Sequence, residues 1–145
     1  MFFSKSFGYA LRGILYVASM QDENRKVQLD EIADKLSVPR HFLGKIMQDV
    51  VKSGFLKSTK GPYGGFSITS STLNTPLIKL IEISDGMEQF KVCILKLKAC
   101  NNENPCPLHA EVEKIKKDLL SIFRHTTIND LLTSDKNHFI RSIAV

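Results

Sequence analysis

The chain has 145 residues, which suits one domain or a small domain with an extension. Its 43% hydrophobic and 24% charged residues are typical of a globular protein and exclude a disordered or fibrous one. No apolar run approaches the roughly 18 residues of a membrane span, and the N-terminus lacks a signal-peptide pattern, so we expect a cytoplasmic protein with no membrane partner. The net charge of +5 lies mostly in residues 1–65. A local basic stretch is typical either of nucleic-acid binding or of a solvated helix face.

Apolar residues at three- and four-residue steps predict three helices in the first half of the chain. They span residues 4–20, with Ser4 as the cap, 29–36 and 39–53. Only Ser37 and Val38 separate the second helix from the third, and two helices joined by so short a turn form a helix-turn-helix unit. Pro39 is expected at the first helical position of the third helix, and Gly54 just beyond its end.

A β-hairpin is predicted directly after these helices. The stretches FLKST and FSIT have strand-like composition, and the KGPYGG between them is rich in glycine and proline. A hairpin in this place is the wing of a winged helix-turn-helix, so residues 1–75 are predicted to form a DNA-binding domain. The alternative is an arbitrary arrangement of two helices and a hairpin.

The second half of the chain is predicted to be helical around one irregular loop. Its helices are expected at residues 76–85, 107–125 and 128–132, with Thr126 as the cap of the last. Residues 87–106 look irregular, and a loop of this length is uncommon unless it is functional. Residues 22–26 are expected to form a polar turn, and residues from Asp135 onward a loose tail. The predicted fold class is therefore mainly α with a small β-hairpin wing.

Candidate DNA-contacting residues follow from this fold, because the second helix of the unit lies in the major groove and its first residues meet base edges. Arg40 can pair with guanine or bind phosphate, whereas Lys52 is better placed for phosphates. At the wing tip, Lys60 suits the minor groove or the backbone, and the glycines either let phosphates approach or serve the turn only. The candidates are Pro39, Arg40, His41, Lys45, Lys52, Lys60, Tyr63, Gly64 and Gly65.

A cluster of potential metal ligands lies in the irregular loop. Cys93, Cys100 and Cys106 fall within fourteen residues, and His109 follows. Their odd number argues against a disulfide framework. Three thiolates and an imidazole could hold an iron–sulfur cluster or a structural zinc ion, or could be unligated. The Cys-x2-4-Cys knuckle common in zinc sites is absent, and the wider spacing suits a cluster wrapped by a loop.

Four parts of the chain together resemble the Rrf-type family of bacterial winged-helix transcription regulators, over about residues 1–132. They are YALRGILYVA, LDEIADKLSVPRHFLGKIMQDVVKSGFL, the wing KGPYGGF and the three late cysteines. The resemblance implies a homodimer in which the long C-terminal helix, residues 107–125, crosses its twin as a dimerisation helix. It also implies binding to a palindromic operator in double-stranded DNA.

The resemblance further implies that the cofactor-binding residues are Cys93, Cys100 and Cys106. In the IscR-like branch a histidine three positions after the last cysteine completes a 2Fe–2S site, and His109 matches it. In the NsrR-like branch an aspartate completes a 4Fe–4S site, and Gly8 stands at that position, so 2Fe–2S is favoured. Two features depart from the family pattern, namely the six-residue first cysteine gap and Gly44, which replaces an acid of the IscR-like branch.

The sequence therefore predicts a transcription regulator, expected to be a repressor, that senses redox, nitric oxide or iron status through a cluster which aerobic preparation can remove. Residues 76–145 would be the sensor and dimerisation region, with the cluster loop at about 91–107. The alternative is a winged-helix regulator with structural zinc or no metal, controlled by a protein or a small molecule. The sequence shows no nucleophile–base pairing or paired-carboxylate site, so an enzyme is not expected.

Overall fold

The computed structural model describes residues 3–21 and 25–135. Within them lie six helices and one hairpin, which confirms the predicted mainly α fold with a small wing. The elements are α1 (Lys5–Ser19), α2 (Leu29–Leu36), α3 (Arg40–Lys52), β1 (Leu56–Thr59), β2 (Gly65–Ile68), α4 (Ile78–Ser84), α5 (His109–His125) and α6 (Ile128–Ser134). The expected turn at 22–26 lies only partly in the described residues, and the expected tail lies outside them beyond Asp135.

The helix starts agree with the sequence prediction at α1 and differ at three other helices. The Ser4 hydroxyl accepts a hydrogen bond from the Phe7 N–H at 3.1 Å, as a helix cap does. Pro39 was predicted inside α3, but its ψ of 133° is extended and makes it the N-cap. The α4 and α5 helices begin at Ile78 and His109, two residues later than predicted.

The cap of α6 is Thr127, and the prediction of Thr126 was wrong. The Thr127 hydroxyl accepts from the Asp130 N–H at 3.1 Å, while the Asp130 carboxylate accepts from the Thr127 N–H at 2.9 Å. This reciprocal capping box satisfies two backbone N–H donors at once. Thr126 forms no such pair with a residue of the first turn of α6. Thr126 instead uses its carbonyl to accept from the Leu77 N–H at 2.9 Å, which joins α6 to the start of α4.

The helix-turn-helix forms because α2 ends in a left-handed residue. Ser37 has a φ of 53°, and this lets the Val38 N–H reach back to the Ala33 carbonyl at 3.0 Å. The chain reverses within two residues, and Val38 is buried beneath the turn. The α1, α2 and α3 helices enclose one core, whose fully buried side chains include Ile14, Ile32, Leu36, Leu43 and Met47. Burial of each such side chain contributes about 1.5–3 kcal/mol.

The wing follows α3 directly and is fixed to the helices at its base. Gly54 ends α3 with a φ of +83°, and β1 then pairs antiparallel with β2 from Leu56↔Ile68 to Thr59↔Gly65. Val27, just before α2, forms an antiparallel β-bridge on the other side of β2. Its backbone exchanges hydrogen bonds with that of Phe66 at 2.9 and 2.7 Å. The wing therefore has a defined position relative to α2.

The second half of the chain shares this core, to which α5 contributes along one side only. The α4 and α6 helices pack against α1, and Leu80, Ile81 and Ile128 are fully buried. On α5, by contrast, Ile115 and Ile122 are 57% and 58% exposed. One side of α5 packs on the core through Leu119, Leu120 and Phe123, whereas the side that carries Ile115 and Ile122 remains uncovered within one chain. None of the helices formed by residues 3–21 and 25–135 is long and apolar enough to cross a membrane.

Candidate DNA-binding surface and cysteine site

The first turns of α3 present the predicted base-reading residues to solvent. Pro39, Arg40, His41 and Lys45 are all exposed, whereas Leu43, Ile46 and Met47 on the opposite face are buried. Phe42, between these two faces, is 40% exposed and lies edge-on against Tyr9, with the ring centroids 5.9 Å apart. Contact of the exposed residues with DNA stays a prediction.

Arg40 is not free in this surface, because Asp30 of α2 pairs with it. The Arg40 Nε donates to a carboxylate oxygen of Asp30, and the two side chains are 67% and 66% exposed. Asp30 was not predicted as a site residue, since its pairing with Arg40 depends on how α2 and α3 cross. Gly44, on the same helix, is half-buried, and a Cβ there would lie 3.3 Å from the Leu29 side chain. The close packing of α2 on α3 therefore explains why a residue without a side chain stands at this position.

The wing tip places Lys60 and Tyr63 in solvent, with Tyr63 92% exposed. The two glycines that follow have steric reasons of their own. A Cβ on Gly64 would lie 2.0 Å from the Thr59 carbonyl oxygen, and one on Gly65, whose φ is +138°, would lie 2.7 Å from the Val27 carbonyl oxygen. Both glycines are thus required by packing of the wing itself, and phosphate contact by them stays a prediction.

The loop between α4 and α5 brings the three cysteines together. Their Sγ atoms all lie within 4.8 Å of one another, the one such group of potential metal ligands found among the described residues. Cys93 and Cys106 have their Sγ atoms 3.7 Å apart, and the Cys100 Sγ lies 3.3 Å from the His109 Nδ1. Four soft donors separated by up to sixteen residues in the chain are therefore adjacent in space.

Three asparagines shape the loop and orient the imidazole. The Asn101 Oδ1 accepts from the N–H groups of Glu103 and Asn104 at 2.8 Å, which is an Asx-turn between the second and third cysteines. The Asn102 Oδ1 lies 3.0 Å from the His109 Nε2, so the other ring nitrogen, Nδ1, faces Cys100. A polar partner on the remote nitrogen is how proteins commonly fix a metal-binding histidine. These asparagines were missed as site residues, although their turn propensity was visible in the sequence.

The backbone stabilises one thiolate in particular. Hydrogen bonds from the backbone of Leu97, and to a smaller extent from Leu95, lower the pKa of Cys93 to about 7 despite some desolvation. The backbone N–H of Cys106 lowers the pKa of Cys100, but desolvation and the neighbouring thiols of Cys106 and Cys93 outweigh it and leave that pKa raised. Close thiols that resist joint ionisation are suited to a cation that compensates their charge.

Lys116 anchors this loop to α5. It is only 4% exposed, and its Nζ donates to the Val92 carbonyl at 2.7 Å, next to Cys93. The Lys116 Nζ also donates to the Glu113 carboxylate at 3.5 Å. The sequence pattern gave no sign of this role, because a lysine on an amphipathic helix is ordinarily solvated.

An aromatic cluster joins the loop to α1 and α5. Phe3 stacks on Phe7 with ring centroids 4.7 Å apart, and lies 6.3 Å from Phe90 and 5.2 Å from Phe123. Phe90 is the last residue before the loop and is buried. The start of α1, the entrance of the cysteine loop and the C-terminal half of α5 therefore meet in one packed contact.

The donor set fits a metal or an iron–sulfur cluster. Two of the three half-buried thiols, those of Cys93 and Cys100, and the oriented imidazole line an open cavity of about 340 Å³, which Asn102 and Glu113 also line. Thiolate and imidazole are ligands of both iron–sulfur clusters and zinc. The cysteine loop therefore has a donor set that suits either group.

Comparison with known proteins places the chain among transcriptional regulators. The Rrf2 family model, described as an iron-dependent transcriptional regulator, matches residues 3–134. A protein of Aquifex aeolicus described as an HTH-type transcriptional regulator is 34% identical over 140 residues, which cover 95% of this chain and 96% of that protein. An rrf2-like HTH-type regulator of Rhodobacter capsulatus is 24% identical over 133 residues, 87% of this chain and 89% of the relative.

Solved structures share the fold. CymR of B. subtilis, described as the global cysteine regulator, has a TM-score of 0.72 at 21% identity and covers 91% of this chain and 96% of its own. IscR of T. potens has a TM-score of 0.71 at 20% identity, with 94% and 89% covered. The family and these relatives are regulators, which confirms that the chain is not an enzyme. Because the family model matches nearly the whole chain, this protein belongs to the Rrf2 family of transcriptional regulators.

Proposed function

We propose that this protein is a homodimeric repressor that senses redox, nitric oxide or iron status through an iron–sulfur cluster. The proposed ligands are Cys93, Cys100, Cys106 and His109. The observation that carries the proposal is the convergence of three thiols within 4.8 Å beside an oriented imidazole. The membership of an iron-dependent regulator family supports it.

The pairing of the donors favours a 2Fe–2S cluster over a 4Fe–4S cluster. Cys93 lies against Cys106, and Cys100 lies against His109, so the four ligands fall into two pairs. Two donors for each of two irons is the arrangement of a Cys3His 2Fe–2S site. Gly8, at the position where the NsrR-like branch carries an aspartate, has no side chain to ligate.

The protein's own contacts would couple this site to DNA binding. A bound cluster would supply a centre that reacts with oxidants and nitric oxide. For the cluster to change DNA binding, two conformations of the chain must bind it with different affinities. Lys116 holds the loop backbone at Val92, so a shift of the loop moves or breaks a buried hydrogen bond to α5. The aromatic cluster of Phe3, Phe7, Phe90 and Phe123 transmits the same shift to α1.

The dimer would form through α5. Its exposed isoleucines, Ile115 and Ile122, form an apolar face that a second copy of the helix can cover. Two α3 helices and two wings would then address a palindromic operator. In this division residues 1–75 bind DNA, and residues 76–145 sense and dimerise, with the cluster loop at about 91–107.

The test is an anaerobic purification followed by a visible absorption spectrum and by counts of iron and acid-labile sulfide. We expect a brown protein with equal iron and sulfide, two of each per subunit for a 2Fe–2S cluster. Cys100→Ala should abolish the colour, and His109→Gln should weaken it. His125→Gln, at an exposed histidine on the same helix, is the matched control and should change nothing.

A structural zinc ion is the second candidate, and one observation favours it. The 3.7 Å between the Sγ atoms of Cys93 and Cys106 is near the roughly 3.8 Å that two thiolates reach on one tetrahedral zinc with Zn–S bonds of about 2.3 Å. A colourless protein that contains one zinc per subunit and no sulfide would establish this alternative. A protein that binds DNA equally well with all three cysteines replaced would instead indicate control by a protein or small-molecule partner.

A further inference from the structure

The ion pair between α2 and α3 points to a residue that determines which base the protein reads. We propose that Asp30 positions the Arg40 guanidinium for end-on recognition of a guanine in the major groove. The inference rests on the proposed docking of α3 in that groove. It adds a specificity-determining residue that does not itself contact DNA.

The geometry of the guanidinium carries the argument. Arg40 is the first residue of α3, where base contacts are made, and its Nε donates to Asp30. In the described part of the chain, its two Nη groups have no hydrogen-bond partner. Those two groups form the terminal edge of the guanidinium, which matches the O6 and N7 acceptors of guanine. Asp30 therefore occupies the one nitrogen that end-on recognition does not need.

The exposure of the pair argues against a role in stability. Both side chains are about two-thirds exposed, and ion pairs this exposed contribute about 0–1 kcal/mol. A carboxylate at the DNA-facing start of α2 also repels phosphates, so it lowers affinity for DNA in general. Its useful effect would be on the orientation of Arg40, because a long side chain held in one rotamer loses less entropy when it binds a base.

Opposite effects on affinity and discrimination make this proposal testable. A duplex is first selected from a randomised library with the wild-type protein, and each base pair of its half-site is then varied in turn. Asp30→Ala should reduce discrimination for guanine at one position per half-site by roughly five- to tenfold. The same variant should bind non-specific DNA about twofold more tightly, because one repulsive charge is gone.

Two variants control for charge and for folding. Asp34→Ala removes the same charge from an exposed position of α2 and should leave discrimination unchanged. Asp30→Asn removes the charge but keeps an oxygen that can accept from Nε, so it should keep most of the discrimination. In an Arg40→Lys background the discrimination should already be lost, and Asp30→Ala should remove nothing further.

The outcomes separate this inference from the proposed function. If the wild-type protein selects a sequence and Asp30→Ala keeps every base preference, the inference alone is wrong. Equal losses of base discrimination in Asp30→Ala and Asp34→Ala would also overturn the inference. An Arg40→Lys variant that binds all duplexes uniformly more weakly would overturn it as well. If the wild-type protein selects no sequence from the library, both the proposed readout of DNA and this inference fail.

Discussion

Gly64 is the residue at which the structure tolerates a side chain least. A Cβ at this position would lie 2.0 Å from the Thr59 carbonyl oxygen, a backbone atom that cannot move without opening the hairpin. We expect Gly64→Ala to destabilise the protein by about 1–3 kcal/mol in denaturant unfolding. Gly8→Ala is the control, since its Cβ would meet only the Arg12 side chain at 3.7 Å, and in a helix it should stabilise by about 0.5–1 kcal/mol. Equal stability of the Gly64→Ala and wild-type proteins would contradict this packing.

Tyr16 and Glu31 give the stability a defined dependence on pH. The Tyr16 hydroxyl donates to Glu31 at 2.8 Å, and Arg25 donates to both Glu31 carboxylate oxygens at 2.9 and 3.0 Å. Burial, followed by the hydrogen bond to Glu31, raises the pKa of Tyr16 from 10.0 to about 12. The hydrogen bonds from Arg25 lower the pKa of Glu31 below its ordinary 4.5, against a smaller opposing effect of burial.

The signs of the two shifts are opposite. Tyr16 resists ionisation only in the folded state, so its contribution to the free energy of unfolding is complete below pH 10.0 and is lost as the pH rises toward about 12. The contribution of Glu31 is complete above pH 4.5 and is lost as the pH falls through its lowered folded-state value. In Tyr16→Phe, the free energy of unfolding should therefore fall less steeply at alkaline pH than it does in the wild-type protein. Denaturant unfolding over a pH series measures this, and the same series covers the acidic range in which Glu31 contributes. An unchanged alkaline limb would show that Tyr16 does not contribute to it.

At the residue scale, the sequence predicts candidate site residues better than it predicts which side chains form hydrogen bonds with each other. The structure exposes the predicted residues of α3 and brings the four potential ligands together, while their roles stay predictions. Asp30 and Lys116 were missed because their partners, Arg40 and the Val92 carbonyl, lie ten and twenty-four residues away and meet only in the folded chain. The wing glycines were noticed, but their steric reason requires the backbone path.

The α5 helix carries the prediction about assembly. Ile115→Glu combined with Ile122→Glu places two charges on the exposed apolar face, and a dimer that buries this face should dissociate. Sedimentation should then show a monomer. Circular dichroism should show unchanged helical content, since neither isoleucine is buried within one chain. Lys117→Glu changes a charge on the opposite side of α5 and should leave the dimer intact. A double variant that stays dimeric would place the dimer interface elsewhere.

Lys116 makes coupling between α5 and the cysteine loop measurable. Lys116→Met keeps the length of the buried side chain and removes the donor to Val92. We expect the coupling free energy between cluster binding and operator binding to fall by about 0.5–2 kcal/mol. The ratio of operator affinities with and without the cluster would then fall roughly two- to thirtyfold. Lys117→Met, at the exposed neighbour, should leave the ratio unchanged. An identical ratio in all three proteins would remove Lys116 from the coupling.

Element boundaries show where periodicity stops being informative. The short α2 helix was predicted to the residue, because its apolar spacing and the turn after it agree. The α5 helix was predicted to begin at Pro107, but the His109 N–H bonds to the Cys106 carbonyl at 3.0 Å and forms a turn ahead of the helix. The late start of α5 and the wrong cap of α6 arise from local hydrogen bonds that apolar periodicity does not record.

At the scale of the whole molecule, the DNA-binding half and the cysteine loop belong to one packed structure. The α4 and α6 helices share the core of α1, and Phe90 places the start of the loop in the same aromatic cluster as Phe3, Phe7 and Phe123. The sequence predicted the two halves but could not predict this connection, since it depends on contacts between residues more than eighty positions apart. A change at the cysteines therefore has a physical route to α1.

The most direct test of the account is the affinity of one protein for its selected duplex with and without the cluster. The anaerobic protein, with iron and sulfide counted, is compared with the same sample after chelation, and Cys100→Ala serves as the control that should not respond. The account predicts that the two affinities of the wild-type protein differ by at least about fivefold, a coupling of about 1 kcal/mol or more. Equal affinities in a sample verified to contain iron and sulfide would contradict it.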